Sequence, residues 1–424
     1  MEYRSPGVYV EEVPSVVQAI AGVGTSTAGF IGVVPDTIDI PSPNPNYDPT
    51  QESSPENLPY ITTPFAVSDR VKAGEVKLCT NFSDFKRFFG DFSTAAGQNT
   101  LAHAVYGFFN NGGTRCYVVR VVGESDITAN FLQQTFEAID EIAIVAAPGI
   151  IDDAVRDAIV THCAEATQDR FAILDSPEVV EAETPTTGVS FPDLTKLDPS
   201  NAQNILPNNS NYAAFYFPWI QVFDPVRRIT EPNGNGRKYV PPSGHIAGIY
   251  ARVDSTRGVH KAPANEPIFG ALGLKYSLSR NQQDGLNPQG VNCIRDINGN
   301  IRVWGARTLG GDQNGEFRYI NVRRLLLFLR ESIDEGTQFA VMEPNDRNLW
   351  AKITRNVSAF LTTVWRSGAL FGATPQEAFY VRCDETTNTS EDRKLGRVIT
   401  EIGVAVVTPA EFVIFRLSQT TPVS

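Results

Sequence analysis

Residues 115–175 read RCYVVRVVGESDITANFLQQTFEAIDEIAIVAAPGIIDDAVRDAIVTHCAEATQDRFAILD. Three apolar runs, RCYVVRVV (115–122), IAIVAA (142–147) and FAILD (171–175), are separated by segments with helical spacing at 131–139 and 152–167. Continuous apolar runs of this length suit strands buried on both faces, and crossover helices between them imply βαβ units in a mostly parallel sheet. The pattern extends outward in both directions. Upstream, Leu101, Val105, Phe108 and Phe109 share one face of a helix over 101–110 that Gly112 and Gly113 stop, and AGFIGVV (28–34) is a further strand. Downstream, YAAFYFPWIQV (212–222) is a strand interrupted by Pro218.

Two polar stretches interrupt this core. Residues 35–64, rich in Pro, Asn, Ser and Asp, are expected to form a surface loop or a partly disordered excursion, and 178–211 a long inserted loop. FSDFKRFFGDF (82–92) suits a short helix and turn. Ser243 is expected to cap a helix over 243–257 that Gly258 ends, with Ala247, Gly248 and Ala251 leaving room for another backbone to approach. Asn321 is expected to cap a helix over 322–333. Asn345 or Asp346 starts another that carries Leu349, Ile353, Val357 and Val364 on one stripe. Strands are expected at 379–384, 398–407 and 411–417, with a polar loop over 386–394.

At 424 residues the chain exceeds the usual size of one domain. Its 42% hydrophobic and 20% charged residues are ordinary for a globular protein. No apolar run approaches the ~20 residues a membrane span needs, so no direct membrane insertion is expected. The N-terminal MEYRSPGVYVEEVP lacks the pattern of a secretory signal, so cytoplasmic synthesis is the expectation. Cys79, Cys116, Cys163, Cys293 and Cys383 are scattered with no CxxC pair, which favours buried thiols over disulfides or zinc. A net charge of −12 without a dense basic cluster argues against nucleic-acid binding.

The search for chemistry finds little. His162 and Cys163 are adjacent in a helix, where neighbouring side chains diverge. Gly22, Gly24 and Gly29 precede a strand rather than follow one, so they do not form a dinucleotide loop. Asp140, Glu141, Asp152 and Asp153 suit helix caps and dipole partners, and DINGN (296–300) suits a β-turn better than a calcium loop. No catalytic residue, metal site or cofactor is assigned.

The two ends of the chain look different. Phe412, Val413, Ile414, Phe415 and Leu417 are apolar on both faces of a strand that nothing after it can cover. Residues 7–13 (GVYVEEV), closed by Pro14, read as an isolated strand at the other end. One reading buries the terminal strand in its own domain. The other exchanges both strands with neighbouring copies, with 14–24 and 384–396 as flexible linkers.

Several long blocks carry a family resemblance: YRSPGVYVEEVPS with GVGTSTAGFIG, PPSGHIAGIYARVDSTRGVHKAPAN, INVRRLLLFLRESIDEGTQFAVMEPND, NVSAFLTTVWRSGALFGATPQEAFYVRCD and IGVAVVTPAEFVIFRLSQ. In this order they resemble contractile tail sheath proteins of bacteriophages and phage-tail-like injection systems. The resemblance implies a multidomain α/β and α+β protein. Its parts would be an N-terminal strand arm and linker (1–20), a small β-rich outer region (21–95), a subtilisin-like α/β domain (96–315), and a C-terminal α+β domain (316–424). It also implies terminal strands exchanged between subunits. Val8, Tyr9, Val10 and Val13 at one end, and Phe412, Val413, Ile414, Phe415 and Leu417 at the other, would be donated. Val398, Thr400, Ile402, Val404 and Val406 would belong to the receiving sheet.

Implied partners are copies of the chain itself in hexameric rings and a helical polymer, an inner tube protein, and baseplate and terminal cap proteins. Arg355, Arg366, Arg393 and Lys394 are the tube-facing candidates. The implied activity is contraction, without nucleotide hydrolysis, in a phage tail or a phage-tail-like particle such as a tailocin. A non-contracting or accessory sheath paralogue is the alternative within the class, and an α/β hydrolase or nucleotide enzyme the alternative outside it.

Overall fold

In the computed structural model the described residues are 19–48, 50–51, 57–180 and 192–414. The expected strand over 7–13, and Phe415 and Leu417, lie outside them. The chain divides into two compact units. One holds residues 23–328 together with 407–424, and the other holds 1–22 with 329–406. These boundaries differ from those expected, because the strand Ala28–Val33 lies inside the main sheet of the first unit instead of in a separate outer region.

That sheet has nine strands. In spatial order they are Glu266–Pro267, Asn300–Val303, Val291–Ile297, Ala213–Phe217, Phe171–Asp175, Ile144–Ala146, Ala28–Val33, Cys116–Val121 and Lys77–Cys79. The six central strands run parallel, and antiparallel strands close both edges. Alternate residues feed two cores, one on each face. Phe30, Phe171 and Ile173 enter one, while Ile31, Ala172 and Leu174 enter the other. This is why the strands read as unbroken apolar runs. The expected turn at DINGN is a two-residue hairpin, with Asn298 at φ 54° and Gly299 at φ 81°.

On one face the helices Ala96–Asn110 and Ser243–Arg257 cross at close range. A Cβ placed on Gly244 would lie 2.3 Å from the carbonyl oxygen of Ala104, and one on Gly248 would lie 2.4 Å from that of Phe108. The small residues of 243–251 therefore serve packing inside the chain. Ser243 does not cap this helix. Its N–H and its hydroxyl both donate to Asp175, at 2.9 and 2.6 Å, so the carboxylate at the end of a neighbouring strand receives the helix terminus.

Other expectations also change. Residues 35–64 are not a plain loop, because Thr37–Pro43 and Tyr60–Ala66 form an antiparallel hairpin. Its prolines are tolerated because both strands of an isolated pair are edges. Asn321 is not a cap either. The helix starts at Ile320, and the Asn321 amide donates to the carbonyls of His260 and Val407.

The second unit is built on the helix Arg347–Arg366, capped by Asp346, whose carboxylate accepts the Leu349 N–H at 2.9 Å. The expected Leu349, Ile353, Val357 and Val364 are buried along it, and Trp350, Phe360 and Leu361 are buried with them. The stretch 386–394 contains a short helix, Ser390–Lys394, which the hydroxyl of Thr389 caps. Of the strand expected over 398–407, only Glu401–Val404 forms. It pairs antiparallel with Phe379–Arg382.

Candidate assembly elements

The small sheet of the second unit is where its packing stops being self-contained. Phe379–Arg382 and Glu401–Val404 form a two-stranded sheet, and among the described residues no third strand joins it. Ile402 and Val404 lie within the pair, and Val406 makes an isolated bridge to Leu370. Val398 and Thr400 precede the strand without regular structure. The approach to the strand is held by the buried amide of Asn388, which donates to the Ile399 carbonyl at 3.0 Å and accepts the Ile399 N–H at 2.7 Å. Across the pair, the ring of Tyr380 covers Gly403, where a Cβ would come within 2.1 Å of it. In the same unit Val341, Met342, Phe371, Tyr380, Leu395 and Ile399 are exposed. That is a dense set of apolar side chains for so small a unit.

The C-terminal run shows the same incompleteness. Glu411 to Ile414 have no regular secondary structure in the single chain, contrary to the strand expected there. Phe412, Val413 and Ile414 are 71%, 70% and 79% exposed. Glu411, just before them, is firmly held. Its carboxylate accepts from Arg307 Nε at 2.9 Å, Arg307 Nη2 at 2.8 Å, Tyr319 Oη at 2.9 Å and Asn287 Nδ2 at 2.7 Å. Burial alone would raise the Glu411 carboxyl, but these donors outweigh it and hold the group below the ordinary range. Nothing in the sequence pattern singled out Glu411 or Arg307, which lie about a hundred residues apart.

The tube-facing candidates are all exposed. Arg355 and Arg366 stand about three turns apart on one face of the Arg347–Arg366 helix. Arg393 sits 6.0 Å from the Trp350 ring, and Lys394 ends the short helix after it.

The groups that could suggest catalysis are tied into structure. Burial, reinforced by Arg170, pushes His162 down to about 4, and burial pushes the Cys163 thiol up to about 12, so the pair does not form a thiolate–imidazolium at neutral pH. The Asp175–Ser243 pair is fully buried against a helix terminus. All five cysteines are buried and unpaired. Among the described residues no cluster of three or more His, Cys, Asp or Glu could hold a metal ion, and no helix is long and apolar enough to cross a membrane.

Comparison with known proteins places this geometry. The profile of the phage tail sheath protein central domain matches residues 122–309, and that of the phage tail sheath C-terminal domain matches 312–420. The tail sheath protein of Vibrio phage KVP40 is 29% identical over 198 residues, which is 46% of this chain and 28% of the relative. The matches span less than half the length of the curated tail sheath proteins found. The solved structures match over nearly the whole chain. The helical sheath of the anti-feeding prophage in its contracted state is 27% identical with a TM-score of 0.70, covering 99% of this chain and 100% of that one. The contracted sheath complex of the extracellular contractile injection system PVC is 26% identical, also with a TM-score of 0.70, covering 99% of both chains. With both sheath-domain profiles together spanning most of its length, this chain belongs to the contractile phage tail sheath family.

Proposed function

We propose that this chain is the structural subunit of a contractile tail sheath. Copies polymerise as stacked hexameric rings around an inner tube of a different protein, and the sheath shortens from a metastable extended state to drive that tube through a target envelope. One observation carries the reading: a two-stranded sheet and an exposed apolar C-terminal run are both left unfinished within one chain. A second copy finishes both by adding a strand to an open sheet edge. The donated segments are Val8, Tyr9, Val10 and Val13 at one end, and Phe412 to Ile414 with Phe415 and Leu417 at the other. The receiving edge is Phe379–Arg382 with Glu401–Val404.

A strand of ~6 residues adds several backbone hydrogen bonds, each netting ~0.5–1.5 kcal/mol. One joint is weak, and a lattice of joints is strong because each bond made raises the effective concentration for the next. The central unit contributes a rigid body with the layered α/β architecture expected of a subtilisin-like fold, and no catalytic role. Contraction draws its free energy from better packing between copies, with no covalent chemistry. Arg355 and Arg366 form a basic stripe for contact with the tube, and Arg393 and Lys394 flank it. A chain 26% identical to this one is found in an anti-feeding prophage baseplate structure, which supports a baseplate partner.

Electron microscopy of the purified chain tests the reading. Rings or tubes of constant diameter are expected, and a strictly monomeric protein at high concentration contradicts it. Reconstitution with the tube and baseplate proteins separates a contracting sheath from an accessory one. A contracting sheath shows two discrete lengths, an accessory sheath one.

A further inference from the structure

The carboxylate of Glu411 lies at a sharp transition in the chain. The residues on either side of it, Ala410 and Phe412, are exposed, as are the side chains of Val413 and Ile414. Glu411 itself receives the two-pronged fork of Arg307 together with Tyr319 and Asn287. Arg307 is 3% exposed, and its third nitrogen is fixed by Asp312 at 3.0 Å and by the Asn287 carbonyl. The fork is therefore oriented in advance, and a bidentate guanidinium–carboxylate pair of this kind sets direction as well as adding strength. A few residues earlier, Asn321 holds the Val407 carbonyl at 3.2 Å. Both anchor points belong to the unit that carries the nine-stranded sheet.

The N-terminal side has a counterpart. Thr25 is the first residue after the linker with side-chain and backbone anchors of this kind. Its hydroxyl donates to Asp254 at 2.6 Å, and its carbonyl accepts from Arg324 at 2.8 Å. Arg324 and Asp254 form a buried bidentate pair at 2.9 and 2.6 Å, with the guanidinium 4.6 Å from the ring centroid of Tyr250. Thr25 and Glu411 are thus each held within the same unit by an arginine–carboxylate joint with a tyrosine beside it.

Building on the strand-exchange reading above, we propose that these two joints are arm-root clamps. Glu411 with Arg307, Tyr319 and Asn287, and Thr25 with Asp254 and Arg324, fix the points at which the donated arms leave the central body. In an assembled lattice every pull on an arm arrives at its root. A clamp there stops the pull from peeling residues 407–411 or the chain after Thr25 off the body, so the displacement falls on the exchanged strand and the linker. The clamp residues are positioning residues for the lattice joint.

The test uses the full-length chain, with Glu411→Ala, Glu411→Gln and Tyr319→Phe compared with the wild type. Three quantities are read: the unfolding midpoint of unassembled protein, hydrogen exchange across 407–414, and the rate at which assembled tubes fall apart on dilution into moderate urea. The expected result is a lowered midpoint for Glu411→Ala, because the buried Arg307 loses a partner, faster exchange across 407–414, and tube disassembly accelerated roughly tenfold beyond what the lost stability accounts for, equivalent to ~1.4 kcal/mol per joint. Smaller accelerations are expected for Glu411→Gln and then Tyr319→Phe. Disassembly at the wild-type rate in all three variants overturns the clamp while leaving the sheath reading intact. A drop in midpoint that accounts for the whole acceleration also overturns it, because the contact is then only part of the folded core. Failure of the wild type to polymerise defeats the sheath reading itself, and the clamp with it.

Discussion

Gly244 and Gly403 both lack room for a Cβ, for opposite reasons. At Gly244 the obstacle is the backbone of a crossing helix, 2.3 Å away at the Ala104 oxygen. At Gly403 it is the ring of Tyr380, which is itself 55% exposed and free to swing aside. Over residues 23–328 the central unit packs on itself: a nine-stranded sheet, a core on each face, helices packed to backbone contact. The second unit has one well-buried helix, a two-stranded sheet and apolar side chains in solvent. On the proposed reading, the first region keeps its shape and the second is left to be completed.

Substitutions at the two glycines give the largest expected contrast. Gly244→Ala drives a methyl into backbone that cannot retreat and should lower stability by ~3 kcal/mol or more, at the upper end of overpacking costs. Gly403→Ala should cost less than ~1 kcal/mol, because only a surface ring must move. Thermal unfolding of the unassembled chain measures both, and equal losses would remove the distinction between the regions.

Next in size is the effect of polarity at the C-terminal run. Phe412→Ser, Val413→Ser and Ile414→Ser together should leave the unfolding midpoint within the scatter of surface substitutions, about 0.5 kcal/mol. The same triple variant should sharply reduce polymerisation, read by sedimentation. A lowered midpoint would place these residues in the chain's own core.

A pH series sharpens the comparison at Glu411. Its carboxyl sits below the ordinary 4.5 in the anchored state, so the clamp contributes fully above that value and is lost as the pH falls through the depressed one. The groups around it are Arg307, Tyr319, Asn287 and, through Arg307, Asp312. The difference in tube disassembly between wild type and Glu411→Gln should therefore persist at neutral pH and shrink in acid.

The smallest expected effect on assembly belongs to the central unit. Burial raises Asp175 from 3.8 to about 6 in spite of its donors Ser243 and Gly149. A raised carboxyl favours the folded state below 3.8, and that contribution is lost as the pH rises towards about 6. Asp175→Asn should flatten this part of the stability profile, with little change in assembly.

Much of the central unit could be read from residue order, because parallel strands buried on both faces leave unbroken apolar runs and the helices between them carry local caps such as Asp152. The stripe on Arg347–Arg366 and its Asp346 cap were legible for the same reason: both are local signals. What was hidden depends on distant partners. Ser243 looks like a cap until Asp175 arrives from another strand. The prolines of 37–66 suggested a loop because sequence does not show that a hairpin has two free edges. Glu411 vanished inside a run read as apolar strand, since its meaning comes from Arg307, Tyr319 and Asn287. The family resemblance named the exposed C-terminal residues as an arm, but only the structure displays the carboxylate at their root.

The central claim is that one copy completes another through its terminal strands. Its most direct test is electron microscopy of a chain lacking residues 412–424, paired with thermal unfolding of the same protein and compared with the full-length chain. An unchanged unfolding midpoint and no ordered tubes are expected from the truncated chain. Tubes of the full-length diameter, formed without those residues, would contradict it.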